Sequence, residues 1–228
     1  MNKLSFLKFD SLPSTNTYAK ENIMNLSLPC IITADMQTAG RGRHGNKFYS
    51  PSGTGLYMTA VFEAPDDCSL LTPLAAVAVC KVLESKDFEP KIKWVNDIFI
   101  ENKKICGILT EIFNYNNKNI IALGIGLNIT TTDFPDELSC ASSLGKDINK
   151  DDLAQSITQT ILEFPENNKI TSDYSDRLFI IGKKINYKKN NIDYSATVKG
   201  INDSCNLIVT LDDGSEDILS SGEISIKF

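Results

Sequence analysis

Between Lys91 and Ile129 the chain offers four strand-like runs joined by links too short to allow a crossover. The runs are Lys91–Trp94, Ile98–Ile100, Ile105–Phe113 and Ile120–Ile125, and the turns include Glu101-Asn102-Lys103 and the stretch Asn114 to Asn119. Parallel neighbours need a connection of roughly a dozen residues or more, so consecutive strands here must pair antiparallel. A meander of this kind needs helices over one face. The chain supplies a helical pattern at Tyr18–Leu26, for which Ser14 and Thr15 are good N-cap types, and an alanine- and leucine-rich stretch at Leu70–Leu83 that reads as a buried helix. Further helices are expected at Asp151–Phe164 and Thr171–Leu178, with Asp151 and Asp152 suited to a first turn. A short apolar start at Leu4–Phe9 and β-branched runs at Cys30–Ala34 and Leu56–Phe62 complete the set. The expected class is α+β, a mixed and largely antiparallel sheet backed by helices.

The character changes near Ile181-Gly182. From Lys183 onward the pattern is short strands and polar turns: Lys184–Tyr187, Tyr194–Val198, Leu207–Thr210, Glu216–Leu219 and Ile224–Phe228, with Asp212-Asp213-Gly214 as a hairpin turn. This tail reads as a small β-barrel, too short to rely on a core of its own. Residues 1–181 and 182–228 are therefore expected to form a large and a small domain, which a length of 228 residues accommodates.

A net charge of −6 argues against a nucleic acid as main partner. The apolar stretch Leu70–Leu83 is interrupted by Thr72, Pro73 and Lys81 and is too short to span a bilayer, and Met1 to Phe6 lacks the apolar core of a signal peptide. A cytoplasmic protein is expected, with no membrane partner. Six cysteines occur without a Cys-x-x-Cys pair, which fits reduced thiols better than disulfides, and one histidine leaves no ordinary zinc spacing. A nucleophilic pair would have to be Cys106 with His44.

Four segments carry chemistry-bearing residues. Gln37-Thr38-Ala39-Gly40-Arg41-Gly42-Arg43-His44-Gly45 gathers two guanidiniums among three glycines on an acidic chain. It lacks the Gly-Lys-Ser/Thr of a phosphate loop, and no helix follows it as in a dinucleotide fingerprint. It is either a mobile surface loop or a clamp in which arginines and backbone amides grip an anion. Lys91-Ile92-Lys93-Trp94-Val95-Asn96-Asp97 ends a strand in Asn-Asp, which is a favoured turn pair, a Mg²⁺ ligand, or a holder of the basic loop. Lys103-Lys104-Ile105-Cys106-Gly107 presents two lysines that either blunt a sheet edge or send one lysine to a small carboxylate. Gly124-Ile125-Gly126-Leu127-Asn128 either floors a flat pocket or marks a bulge.

In this order the segments resemble biotin protein ligases. The matching residues are Ser14-Thr15-Asn16, Gln37 through Gly45, Lys93-Trp94-x-Asn96-Asp97, Lys104-x-x-Gly107-Ile108-Leu109, Gly124-x-Gly126-x-Asn128 and the closing Gly222-Glu223-Ile224-Ser225. The resemblance implies a class II synthetase-like catalytic domain followed by an SH3-like β-barrel. It implies an enzyme that joins biotin to ATP as biotinyl-5′-AMP, with Mg²⁺, and then passes biotin to one lysine of a biotin carboxyl carrier domain.

By that resemblance Arg41 and Arg43 close over carboxylate and phosphates, and Lys104 sits at the reacting carboxylate. Ser14, Thr15, Asn16, Gln37, Gly40, Arg41, Lys104, Gly107, Gly124 and Gly126 would hold biotin. Arg43, Phe48, Lys93, Trp94, Asn96, Asp97 and Asn128 would hold ATP, with Asp97 as the metal ligand. Two positions depart from the pattern: Val95 stands where the family usually has proline, and Phe48 where many members have tryptophan. The resemblance is to a short form without the DNA-binding extension, so no repressor role is expected. The competing readings are a lipoate or octanoate protein ligase and a non-catalytic biotin-binding sensor. A sensor would be expected to lose Arg43, Lys104 or Asp97, and this chain has all three.

Overall fold

The computed structural model describes residues 4–163, 167–220, 222 and 224–226. Phe164, Glu223, Lys227 and Phe228, which figured in the expectations above, lie outside them.

Seven strands form the larger sheet: β1 (Ser5–Leu12), β2 (Cys30–Gln37), β3 (Gly55–Glu63), β4 (Lys91–Lys93), β5 (Asp97–Ile100), β6 (Lys103–Tyr115) and β7 (Lys118–Asn128). Their order is β1-β2-β3-β7-β6-β5-β4. The run from β4 to β7 pairs each strand antiparallel with the next, as the short links require. Only β1 and β2 are parallel, and the segment between them carries helix α1 (Thr15–Glu21). That helix starts three residues before the expected Tyr18. Ser14 is its cap, accepting from the Thr17 amide, and Thr15 and Asn16 are buried against the sheet.

The two faces of the sheet differ. On one, helix α2 (Leu71–Glu84) buries nearly its whole surface together with α3 (Lys150–Leu162) and α4 (Asn167–Arg177), against Met58, Ala60, Ile108, Leu123 and Ile125. On the other, α1 packs its Ala19 against Cys30, Ile32, Val61, Ile120 and Ala122. α1 covers only part of this second face. The uncovered part is floored by the strand glycines.

The second sheet comprises β8 (Lys184–Lys189), β9 (Ile192–Ile201), β10 (Leu207–Leu211), β11 (Glu216–Leu219) and β12 (Ile224–Ile226), all antiparallel, in the order β11-β10-β9-β8-β12. Among the described residues β11 and β12 are edges and do not pair with each other. The expected barrel is thus an open sheet. Closure is not needed to bury its apolar face: Ile185, Ala196, Val198, Leu207 and Val209 belong to the same continuous core as α2, Ile92 and Trp94. Among the described residues no helix is long and apolar enough to cross a membrane.

Core burial outweighs local capping in this fold. Leu83 on α2 is fully buried, so Leu83→Ala is expected to lower stability by about 3 kcal/mol. Asn149 caps α3 by accepting from the amides of Asp151 and Asp152, and Asn149→Ala is expected to lower it by about 1 kcal/mol. Urea midpoints at unchanged slope check both. In the second sheet, Lys189 at 2.7 and 2.8 Å, with the Ile218 amide and the Tyr187 hydroxyl, holds the Asp217 carboxyl below its ordinary 3.8 against a smaller opposing effect of burial. A depressed carboxyl stabilises above its unfolded pKa and loses that contribution as pH falls through the folded one. Wild type is therefore expected to out-melt Asp217→Asn at neutral pH, with the gap closing below 3.8; a gap that persists in strong acid contradicts the assignment.

Candidate active site

The cavity on the glycine face has a volume of about 290 Å³. Its floor is set by register. Gly107 on β6 pairs with Gly126 on β7, and two residues along Leu109 pairs with Gly124. No bulge interrupts β7 there, so the alternation removes side chains from one face. The space is used closely. A methyl group on Gly126 would lie 2.4 Å from the Phe48 ring, and one on Gly124 would lie 2.5 Å from Asn16 Oδ1. Phe48 and Asn16 thus occupy the glycine positions themselves, and the remaining volume lies beside them.

The bulge that the glycines could have marked falls instead on β6. Ile98 pairs with Cys106 and Phe99 with Lys104, which leaves Ile105 without a partner. A bulge re-aims the side chains on either side of it. Here it turns Lys104 onto the same face as Gly107, whose added methyl would lie 3.4 Å from Lys104 Cε and Nζ. Lys104 Nζ is 2.7 Å from Asp97 Oδ1, an ion pair outside hydrogen-bond alignment. Lys103 points away and donates to Ser139 O.

The basic segment forms a small folded strap. Gly42 N donates to Asn46 O, Asn46 N to Arg43 O, and Phe48 N to Gly40 O. Gly40 allows this approach, since a methyl group there would meet Phe48 O at 2.4 Å. His44 and Gly45 turn the strap with φ of 54° and 81°. Its two arginines reach opposite ends of the cavity. Arg43 Nη1 donates to Asn96 Oδ1 at 3.2 Å, and Asn96 is fixed in turn by donating to Ile108 O and by accepting the Ile108 amide on its own carbonyl. Arg41 Nη1 lies 3.2 Å from Glu111, a carboxylate that also takes Lys20 Nζ at 2.5 Å and Asn16 Nδ2 at 2.9 Å. Burial works to raise Glu111, but these donors and charges outweigh it and hold the group below its ordinary value.

The end of the cavity near α1 is a chain of polar contacts. Gln37 Oε1 accepts from the Thr15 amide and hydroxyl and its Nε2 donates to Ser50 Oγ. The buried Thr59 hydroxyl lies 2.8 Å from Thr15 Oγ1 and 2.6 Å from Asn16 Oδ1. Asn16 and Thr15 are thereby largely committed, and Ser14 and Gln37 line the same cavity beside them.

Ser14, Thr15, Asn16, Gln37, Arg41, Arg43, Phe48, Lys93, Trp94, Asn96, Asp97, Lys104, Gly107, Gly124 and Gly126 all line this one cavity, joined by Gly222 and Ile224 from the second sheet. Two expected residues do not. Gly40 shapes the strap from behind. Asn128 is buried and donates to Ser142 O, which anchors the segment after β7 and leaves it outside the lining. The Cys106–His44 pair is not assembled either: Cys106 is fully buried in the core on the far side of the bulge, where burial pushes its thiol up, and His44 is exposed. Glu111 and Thr59 were missed by sequence reasoning. Glu111 stands in an alternating strand where a carboxylate reads as solvent-facing, and Thr59 reads as one more β-branched residue.

Mg²⁺ does not find a built site. Asp97 is the only carboxylate among the described lining residues and its charge is met by Lys104. No group of three histidines, cysteines or acidic residues converges among the described residues. Asp97 is the partner of Lys104 here, and a single carboxylate of this kind beside a triphosphate is what Mg²⁺ ordinarily uses.

Known proteins share the sequence pattern and the fold of this chain. The sequence model described as the biotin/lipoate A/B protein ligase family matches residues 8–128, and the one described as the biotin protein ligase C-terminal domain matches residues 180–227. The bifunctional ligase/repressor BirA of Bacillus subtilis is 38% identical over 163 residues, 65% of this chain and 50% of that protein. The biotin–[acetyl-CoA-carboxylase] ligase of Mycobacterium tuberculosis is 26% identical over 68% of this chain and 63% of its own length. The chain spans about half the length of these curated BirA relatives. A biotin protein ligase from Aquifex aeolicus, solved with biotin and ATP, has the same fold, with a TM-score of 0.82 at 24% identity over 100% of this chain and 99% of that one. With the family model covering more than half of its residues, this chain belongs to the biotin/lipoate A/B protein ligase family.

Proposed function

We propose that this protein activates biotin with ATP and transfers it to a lysine of a biotin carboxyl carrier domain. The observation that carries the reading is the placement of Arg43 and Lys104. Two cations on separate elements face one cavity, each aimed by its own acceptor, at the end away from the neutral polar groups of Ser14, Thr15 and Gln37. A biotin carboxylate oxygen must attack the α-phosphorus of ATP while the bond to pyrophosphate breaks. The obstacle is the approach of two anions, so positioning and charge neutralisation supply the catalysis and no protein nucleophile is needed.

In this reading Ser14 and Gln37 take the polar head of biotin, with Thr15 and Asn16 holding them in place. Lys104 neutralises the carboxylate, and Arg43 with Lys93 takes the phosphates. Arg41 reinforces the carboxylate end when it leaves Glu111. Phe48 and Trp94 provide the apolar walls, and any Mg²⁺ arrives with the triphosphate, since the protein offers it no cage. In the second step the carrier lysine amine attacks the acyl carbon and AMP leaves, with the strap excluding water. The match of residues 180–227 to a biotin ligase C-terminal domain supports biotin over lipoate. We take residues 1–181 as the catalytic unit and 182–228 as a C-terminal unit that completes the cavity through Gly222 and Ile224. Six free cysteines, four of them buried, support a reducing compartment, the cytoplasm.

ATP–pyrophosphate exchange measured with biotin, with lipoate and with neither is expected to respond to biotin alone; exchange that ignores biotin sinks the proposal. Lys104→Ala is expected to slow adenylate formation roughly 100-fold or more. Lys104 is about a third exposed but the Asp97 oxygen it meets is buried, so the same change is expected to cost about 1–3 kcal/mol of stability, too little to unfold the protein and account for the lost rate. Arg43→Gly is expected to release adenylate to bystander lysines, seen as biotin label on an unrelated protein added to the reaction. Unchanged labelling would remove Arg43 from the clamp.

A further inference from the structure

The turn Trp94-Val95-Asn96-Asp97 between β4 and β5 carries the acceptors of both cations, Asn96 for Arg43 on the nucleotide side and Asp97 for Lys104 at the carboxylate. Its second residue is valine, so the backbone there lacks the ring by which a proline would restrain it. Ile108 on β6 holds Asn96 by two hydrogen bonds, and two more from outside the first sheet hold the residues before it. Trp94 Nε1 donates to Cys205 O at 2.9 Å, and the Tyr174 hydroxyl donates to Val95 O at 3.0 Å.

Tyr174 is fully buried on α4. Its neighbours on that helix tie it to α2: Asp173 pairs with Lys81, and Arg177 donates to both oxygens of Glu84 at 2.7 Å. The hydroxyl is therefore presented from a helix that cannot slide without breaking charged contacts. Burial pushes the phenol well above its ordinary value, so it stays a proton donor at any working pH.

We propose that Tyr174 is a positioning residue for Arg43, the nucleotide-side cation: its hydroxyl fixes the Val95 carbonyl and thereby directs Asn96 to Arg43. This rests on the ligase reading above. Tyr174 stands in for the restraint that proline would give, and it does so from a helix outside the cavity lining.

The test compares steady-state exchange by wild type, Tyr174→Phe, Tyr174→Phe combined with Val95→Pro, and Tyr187→Phe. Tyr174→Phe keeps the ring and removes one donor, and is expected to raise KM for ATP roughly three- to tenfold, with KM for biotin changed less than about twofold. Adding Val95→Pro is expected to restore most of the affinity for ATP. Tyr187→Phe loses a hydroxyl bonded to Asp217 in the second sheet; it should lower the melting temperature and leave both KM values alone. An unchanged KM for ATP in Tyr174→Phe overturns the proposal. So does a rise shared with biotin or reproduced by Tyr187→Phe, which would make the hydroxyl a matter of stability only. If Tyr174→Phe alone does not fold, the double variant decides, supporting the proposal with a wild-type KM for ATP and overturning it with a raised one. Wild type without biotin-dependent exchange would instead refute the ligase reading.

Discussion

The register among β3, β7 and β6 decides whether there is a site at all. It aligns Asp97, Gly107, Gly126 and Tyr57 across four strands, and Leu109, Gly124 and Thr59 two residues along. Sheet residues alternate faces, so a slip by one residue would turn the side chains of Ile108 and Ile125, which already border the cavity, into it and fill it. What prevents the slip is on the other face. Met58, Ile108 and Ile125 are at most 2% exposed against the α2 layer, and reversing them would put three large apolar side chains beside charged groups. Burial on one side of the sheet thus sets the vacancy on the other. Phe48 and Asn16 then occupy the places where the glycines lack a side chain, which seats the strap and α1 on the same floor.

With the floor fixed, the distribution of charge follows from the choice of partners. Arg43 is aimed by a neutral amide, so its charge is oriented and not neutralised. It remains available to an anion in the cavity. Lys104 is matched to a carboxylate within the cavity, and an incoming anion competes with Asp97 for it. Arg41 is the most releasable of the three: Glu111 keeps Lys20 and Asn16 when Arg41 departs, so no buried carboxylate is left unpaired. The earlier alternatives for this segment, a mobile loop or an anion clamp, therefore have a physical reconciliation. Arg41 can exchange Glu111 for an anionic ligand at low cost, while Arg43 keeps Asn96 and offers the anion its other donors.

Much of this was legible in the sequence. The antiparallel run from β4 to β7, the buried α2 and the strands of the tail all follow from period and link length, because those features act over a few residues. The cavity residues were legible as motifs, and nearly all of them converge. What escaped depends on distant packing. The bulge at Ile105 has no turn residue to announce it, yet it alone puts Lys104 into the cavity. Glu111 gains its role only because α1 and the strap lie over β6. Asn128 sits next to the glycine floor in sequence, but the chain leaves the sheet there and its side chain follows the segment around Ser142. The tail's strands are where the pattern puts them, whereas their closure depended on whether the apolar face had another surface to cover it.

That surface also explains how the two sheets act as one structure. An open sheet of fewer than about 50 residues cannot bury enough apolar area to stand alone. Its inner face instead continues the core that contains Ile92 and Trp94, and it returns structure to the site in three ways. Cys205 O fixes the Trp94 indole, Gly222 and Ile224 wall the cavity, and α4, which leads into this sheet, holds the Val95 carbonyl. The turn with both cation-aiming acceptors is therefore suspended between the two halves. Asn96 and Asp97 are also tied to β6 through Ile108 and Gly107, so loosening the second sheet acts first on Trp94 and Val95 and last on the glycine floor, which is set by the first sheet alone. The polar end near α1 and the cationic end thus depend on different parts of the fold, although they meet in one cavity.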